Sequence, residues 1–181
     1  LSPTYQPQCL NAMRRLETAL EANFLTRGKW HKSAGNHYRF KKSHLTFLSA
    51  APGSNIVGAT ASTLLSLDEA QDIEIDKYDK QIAPMAASTN ATRVFWGTAW
   101  SAQTLLGREL RAAREAEARD GIRRVFQISA EEVRREVPAY GLFVDEQVAR
   151  MGRNHPMVRS QFFSEEIDFA GGLFTASRLG L

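Results

Sequence analysis

The chain has 181 residues, 43% hydrophobic and 24% charged, with a net charge of +3. That balance excludes wholesale disorder and supplies enough mass for a buried core, and the absence of an apolar run near the roughly 20 residues of a membrane span, or of a secretory leader pattern, leads us to expect an intracellular protein. The single cysteine, Cys9, excludes an internal disulfide framework and any multi-cysteine metal site, and reads as a small residue on a helix face.

Leu1 is not a methionine, and the opening LSPTYQPQ, punctuated by Pro3 and Pro7, reads as the end of one element followed by a turn. A fragment of a longer chain is expected. From Gln8 to Phe24 the apolar residues Leu10, Met13, Leu16, Leu20 and Phe24 fall at three- and four-residue steps, the stripe of one helix. Two alternating runs, Tyr38/Phe40 and Leu45/Phe47, predict a hairpin, and APGSNIVG predicts a loop. A buried strand is predicted from Ser62 to Leu67, a helix disturbed by Pro84 from Ile75 to Ala86, and a second apolar strand from Thr92 to Gly97.

Ser101 is expected to cap a long helix through about Arg119, closed by Gly121, with Leu105, Leu106, Leu110 and Ala113 facing inward and Arg111, Glu115 and Arg119 paired outside. A strand RRVFQIS follows, then a capping box of Ser129 with Glu132 opening a short helix before Pro138. A further helix is predicted from about Gly141 to Arg150 with Gly152 as its stop, then a short helical or irregular segment in NHPMVRSQFFSEEID and a GGLF tail. Strands alternating with helices predict an α/β sheet that binds ligands at the carboxyl ends of its strands, where Asp68, Glu69, Gly97 and Thr98 are expected to meet in one crevice.

The charge is unevenly placed. Arg27, Lys29, Lys32, Arg39, Lys41 and Lys42 lie between Ala22 and Leu67 without a single Asp or Glu, so this segment carries +6 and the rest of the chain −3. Interleaved with Trp30, Tyr38 and Phe40, these residues read either as a phosphate-backbone contact or as the polar surface of a solvated hairpin. His31, His37 and His44 lie in the same region without nearby Cys or regularly spaced carboxylates, which argues against zinc; His155 before Pro156 reads as structural. Gln71 and Asp72 read either as nucleotide contacts or, the reading we favour, as the start of the next helix.

A hydrophobic run ending in Asp68-Glu69 is the Walker B pattern of nucleotide-hydrolysing P-loop proteins. There the Asp holds Mg²⁺ and the Glu orients and deprotonates the attacking water. The bland alternative is a pair of acids favoured at a helix start. Such an ATPase also needs G-x-x-x-x-G-K-[S/T], and GSNIVGAT, Gly53 to Thr60, does not supply it: Ala59 stands where Lys is required, and the chain then enters a strand instead of a helix.

In this order, SPTYQPQ, GATASTLLSLDEAQDI, VFWGTAW and HPMVRSQFFSEEID with GGLF resemble the large subunit of tailed-phage terminases, the ATP-driven DNA-packaging motor. The resemblance covers nearly the whole chain. It implies a P-loop NTPase (RecA/ASCE-like) sheet with flanking helices, truncated at its N-terminus, so that residues 1–181 form one partial ATPase domain. Its Walker A motif would lie upstream of Leu1 and an RNase H-like nuclease domain downstream of Leu181. The cofactors implied are ATP and Mg²⁺, with Asp68 matching the metal-holding acid and Glu69 the catalytic one. Gly97 and Thr98 match the coupling motif, with Ala99 where the family usually has Pro. Val57 occupies the position at which many members carry an arginine finger, so no finger is assigned.

The resemblance further implies double-stranded DNA, a portal protein and the small terminase subunit as partners, a homo-oligomeric ring on the portal, and action in the host cytoplasm during virion assembly. The chain alone is expected to be inactive without Walker A. Two rivals stand beside this reading: a helicase-type P-loop ATPase fragment, and a catalytically silent nucleic-acid-binding α/β module that uses the patch from Arg27 to Lys42.

Overall fold

The apolar stripe near the N-terminus folds as helix α1, Leu10–Ala22, in a computed structural model that describes residues 1–98 and 101–167. Met13 is fully buried on this stripe, with Leu10, Leu16 and Leu20 half-buried. Asn23 leaves helical geometry with ψ 123°, which ends the helix short of the predicted limit and leaves Phe24 81% exposed instead of on the stripe. Gln8 ties the entry of α1 by accepting from the Thr4 amide at 2.9 Å and from its hydroxyl at 2.8 Å. Cys9 is buried, its thiol 3.3 Å from the Leu48 carbonyl.

The chain divides into two compact units, the first Leu1–Trp96 and the second beginning at Gly97. In the first, the predicted hairpin is present as β2, His37–Phe40, and β3, Ser43–Thr46. A third antiparallel strand, β1, Trp30–Ser33, joins it. Its polar sequence WHKS hides it from any hydropathy pattern. Trp30, Lys32 and Tyr38 share the face turned to α1, where the Trp30 indole donates to Glu21 at 2.7 Å and the Tyr38 hydroxyl to Glu17 at 2.5 Å.

The second sheet of this unit pairs β4, Leu64–Leu67, with β5, Thr92–Phe95, in parallel, in the register Leu64↔Thr92 to Leu67↔Phe95. Both apolar runs were predicted as strands, but β4 is buried on one side only. Leu65 and Leu67 face the core, while the two-residue period turns Leu64 outward, 55% exposed. On the opposite edge of β4, Leu1 donates from its nitrogen to the Ser66 carbonyl and accepts from the Asp68 amide, both at 2.8 Å, and Ser2 bridges in parallel to Ser49.

Between β4 and β5 the chain is helical but never regular. A single turn α2, Ile75–Lys77, passes into a wide turn, Tyr78–Ile82, and then a tight one, Ala83–Ala86, containing Pro84. Proline lacks the N–H that an α-helix needs there. Tyr78, Ile82, Met85 and Ala86 are buried in this unit, the Tyr78 ring meeting Phe95 edge-on at 5.6 Å. The loop before β4 is held by the buried Lys77, whose ammonium donates to the carbonyls of Ser54 and, at 3.4 Å, Pro52.

The second unit is helical: α3, Leu105–Asp120; α4, Ala130–Glu136; α5, Pro138–Met151; and α6, Pro156–Phe163. Leu105, Ala130, Val144, Val158 and Ile167 are its buried apolar residues among those described. Thr104, not Ser101, caps α3, its hydroxyl accepting from the Gly107 amide at 3.1 Å, and Gly121 closes the helix at φ 72° as expected. Arg111 reaches the Ala102 carbonyl at 2.6 Å, so the predicted outer charge ladder is not how it is used. Glu132 completes its half of the capping box by accepting from the Ser129 amide at 2.8 Å.

RRVFQIS is not a strand. Residues 121–129 belong to no helix or strand, because Glu117 on α3 takes two of their backbone donors, Arg124 and, at 2.7 Å, Val125, while Gln127 bonds to the Ser164 carbonyl. These backbone bonds, Arg124 first, hold the Glu117 carboxyl below its ordinary range. No helix among the described residues is long and apolar enough to cross a membrane.

Candidate functional site

The hydrogen-bond ladder between β4 and β5 does not stop where the strands do. The Trp96 amide donates to the Leu67 carbonyl at 2.8 Å, and the Trp96 carbonyl accepts from the Ala70 amide at 2.9 Å. A regular parallel ladder returns to the residue two beyond Leu67, which is Glu69; here it returns to Ala70. One extra residue is thus inserted opposite Trp96, a bulge formed by Asp68 and Glu69. Glu69 absorbs it in the left-handed region at φ 48°, ψ 49°, a conformation that costs a residue with a Cβ energy and that clusters at functional positions.

The bulge extrudes both acids from the sheet edge. Asp68 is exposed and Glu69 half-buried, so neither pays the desolvation cost that a buried pair would demand of a positive neighbour. The Glu69 carboxylate accepts from the Gln71 side-chain amide at 2.6 Å. Ala70–Asp72 make one tight turn closed by the Asp72 amide on the Glu69 carbonyl at 2.9 Å, so Gln71 and Asp72 do sit in a helical turn, and Gln71 also orients Glu69.

Gly97 and Thr98 follow Trp96 in sequence and open the second unit, where Gly97 is exposed and Thr98 half-buried. Ala99 and the GGLF stretch lie outside the described residues. The Gly53-to-Thr60 stretch is loop leading into β4, with Gly58 at φ 91° and Val57 74% exposed, and it opens no helix toward an anion.

Among the described residues no three His, Cys, Asp or Glu side chains gather as a metal group. A Mg²⁺ site does not require one. Mg²⁺ keeps several waters and takes one or two carboxylates together with substrate phosphates, a demand that the exposed Asp68 at the end of a strand fits.

The six basic residues do not form one surface. Lys32 is neutralised by Glu17 at 2.8 Å on the face turned to α1, and that pairing, Lys32 ahead of Tyr38, lowers the Glu17 pKa below its ordinary value. Arg27 donates to the Glu21 carbonyl in the last turn of α1 at 2.7 Å, and Lys29 to the Leu25 carbonyl in the turn that follows the helix at 3.0 Å. Arg39 lies on the opposite face of the sheet, and Lys41 and Lys42 form the β2–β3 turn, with the Lys41 ammonium 5.8 Å from the Phe40 ring centre. All three are exposed.

In the second unit HPMVRSQFF forms α6 and its entry. The His155 ring accepts from the Met157 amide at 3.3 Å, a structural cap as expected. Glu165 binds Arg159 at 2.7 Å and Arg153 at 2.6 Å, and the Arg153 guanidinium lies 3.5 Å from the Phe163 ring centre. Comparison with protein-family models, curated proteins and solved structures finds no match to this chain.

Proposed function

We propose that the chain is part of an ATP-hydrolysing DNA-packaging motor of the terminase type, with Asp68 and Glu69 as its Walker B acids. The observation that carries the reading is the bulge opposite Trp96, which places two adjacent carboxylates, Asp68 exposed and Glu69 half-buried, at the carboxyl end of a parallel strand. In this role Asp68 holds the ion that offsets phosphate charge, and Glu69, oriented by Gln71, aligns a water and takes its proton. Gly97 and Thr98, next to β5 in sequence, are the residues through which nucleotide state reaches the following helices, and Arg39, Lys41 and Lys42 are the cations left for a DNA backbone.

The test is ATP turnover of the intact gene product. Glu69→Gln should lower turnover by about two orders of magnitude or more with nucleotide binding retained; unchanged turnover would exclude the assignment. Translation of the DNA 5′ of the Leu1 codon should reveal G-x-x-x-x-G-K-[S/T]. The binding-module reading takes over if it does not, and is then tested by charge reversal at Lys41 and Lys42, which should flatten the salt dependence of DNA binding.

A further inference from the structure

The outer face of the three-stranded sheet carries an arrangement that the sequence conceals. His37 and His44 are seven residues apart, but the pairings His37↔Thr46 and Arg39↔His44 make them diagonal neighbours on one face. Their ring nitrogens, Nε2 of His37 and Nδ1 of His44, face each other at 3.1 Å, with ring centres 5.2 Å apart. We propose that this pair is a two-imidazole site for a late first-row divalent ion, Zn²⁺, Ni²⁺ or Cu²⁺.

The spacing is the first argument. Two nitrogens each about 2.05 Å from one ion lie about 2.9 Å apart at a right angle and about 3.3 Å apart at the tetrahedral angle. The observed separation falls between these values, so an ion can enter without moving the strands. The second argument is the outer partner of His37. Its Nδ1 lies 2.7 Å from the Thr46 hydroxyl, and the tautomer that donates Nδ1–H to that oxygen leaves Nε2 bare, the arrangement in which metal-bound imidazoles are normally held. In that tautomer His44 donates from Nδ1 to the bare Nε2 of His37; metal binding moves the His44 proton to its Nε2, on an exposed ring, and turns both rings until their lone pairs converge on the ion.

The surroundings select the ion. Residues 23–66 contain no Asp or Glu, so the face offers no hard oxygen cage for Ca²⁺ or Mg²⁺, whereas imidazole suits Zn²⁺, Ni²⁺ and Cu²⁺. Two protein ligands leave the remaining positions to water or another exchangeable donor, which makes the site weaker than a three- or four-ligand one. Arg39, directly opposite His44, opposes the incoming charge. His31, paired with Arg39 from the far strand, is separated from His44 by that residue and is not a ligand.

The experiment is calorimetric titration of the untagged chain with Ni²⁺, Zn²⁺ and Mg²⁺, with ¹⁵N spectra of the imidazoles recorded in parallel. One saturable equivalent of Ni²⁺ or Zn²⁺ is expected, with coordination shifts at His37 Nε2 and His44 Nδ1 and no response of either imidazole to Mg²⁺. His37→Ala or His44→Ala should weaken it at least about tenfold and His31→Ala should not, whereas Thr46→Val should weaken it by about tenfold as the loss of an outer partner does, and Arg39→Gln should tighten it. No saturable binding, equal shifts of the two imidazoles with Mg²⁺, shifts confined to other nitrogens, or equal binding after His44→Ala would overturn the proposal. The unsubstituted chain's own spectra decide the matter even if a variant fails to fold.

Discussion

The Ala70 amide bonds to the Trp96 carbonyl at 2.9 Å, passing over Glu69, the residue that a regular ladder would have used. Glu69 is therefore held at φ 48° by its neighbours' bonds and not by any preference of its own. The left-handed conformation costs a residue with a Cβ roughly 1–2 kcal/mol, and glycine escapes that cost while losing about 0.5–1 kcal/mol through its freer unfolded chain. Glu69→Gly should accordingly raise stability by about 0.5–1 kcal/mol, read as a higher urea midpoint at unchanged slope, while abolishing the turnover assigned to Glu69. A Glu69→Gly variant less stable than the parent would show that the carboxylate's bond to Gln71 outweighs the backbone strain.

Gly107 is required by a close approach. A Cβ built there would lie 2.5 Å from the Ser101 carbonyl oxygen and 2.9 Å from the Ala102 Cα, both backbone atoms with no flexible end to yield. Gly107→Ala should destabilise the second unit by about 1–3 kcal/mol despite alanine's better helix propensity, checked by thermal unfolding followed at 222 nm. A neutral effect would mean that the segment from Ser101 to Ala102 can move away from α3.

The two parallel strands were legible because Leu65, Leu67 and the run to Phe95 place apolar residues where a sheet needs them. Helix α1 was legible for the same reason, though its end was not: Asn23 stops it before Phe24. What stayed hidden depends on partners distant in sequence. RRVFQIS has strand chemistry, yet Glu117 claims two of its backbone donors, Arg124 and Val125. The polar β1 is a strand only because β2 lies beside it. Asp68 and Glu69 were singled out by their place at the end of a hydrophobic run and by the family resemblance, while the bulge at which they sit follows from a bond to Trp96 far along the chain. The pairing of His37 with His44 arises from hairpin register, which spacing rules for metal ligands do not consider.

Lys77 is 5% exposed, and its ammonium closes the loop before β4 through the carbonyls of Ser54 and Pro52. Charged hydrogen bonds of this kind favour folding, while the desolvation of the ammonium opposes it. Pro52 lies exposed, so its carbonyl can turn to water once the lysine is gone. Lys77→Met keeps the packing and removes the bonds; the expected loss is about 1–2 kcal/mol in chemical denaturation, with faster amide exchange from Ala51 to Asn55. Unchanged exchange in that loop would show that its hold comes instead from the Ser54 hydroxyl, whose single proton is shared between the Ser49 and Ala51 carbonyls, each 2.7 Å away.

At the end of α3 the Arg124 guanidinium grips Asp120 with contacts of 2.6 and 2.7 Å, and the Ile122 amide adds a third at 3.0 Å. Arg124 first, and that amide second, pull the Asp120 pKa from 3.8 down to about 2. The sign follows from linkage. A carboxyl whose folded value is depressed stabilises the fold fully above its unfolded value of 3.8, and this contribution is lost as the pH falls toward about 2. Because the pair is exposed, its effect on overall stability is small and the titration itself is the sharper readout. Arg124→Gln should move the Asp120 carboxyl back toward its ordinary value, followed by side-chain carboxyl NMR, without restoring it fully, since the Ile122 amide remains. An Asp120 titration unchanged in that variant would show that the helix-terminal amide, and not the guanidinium, sets its acidity.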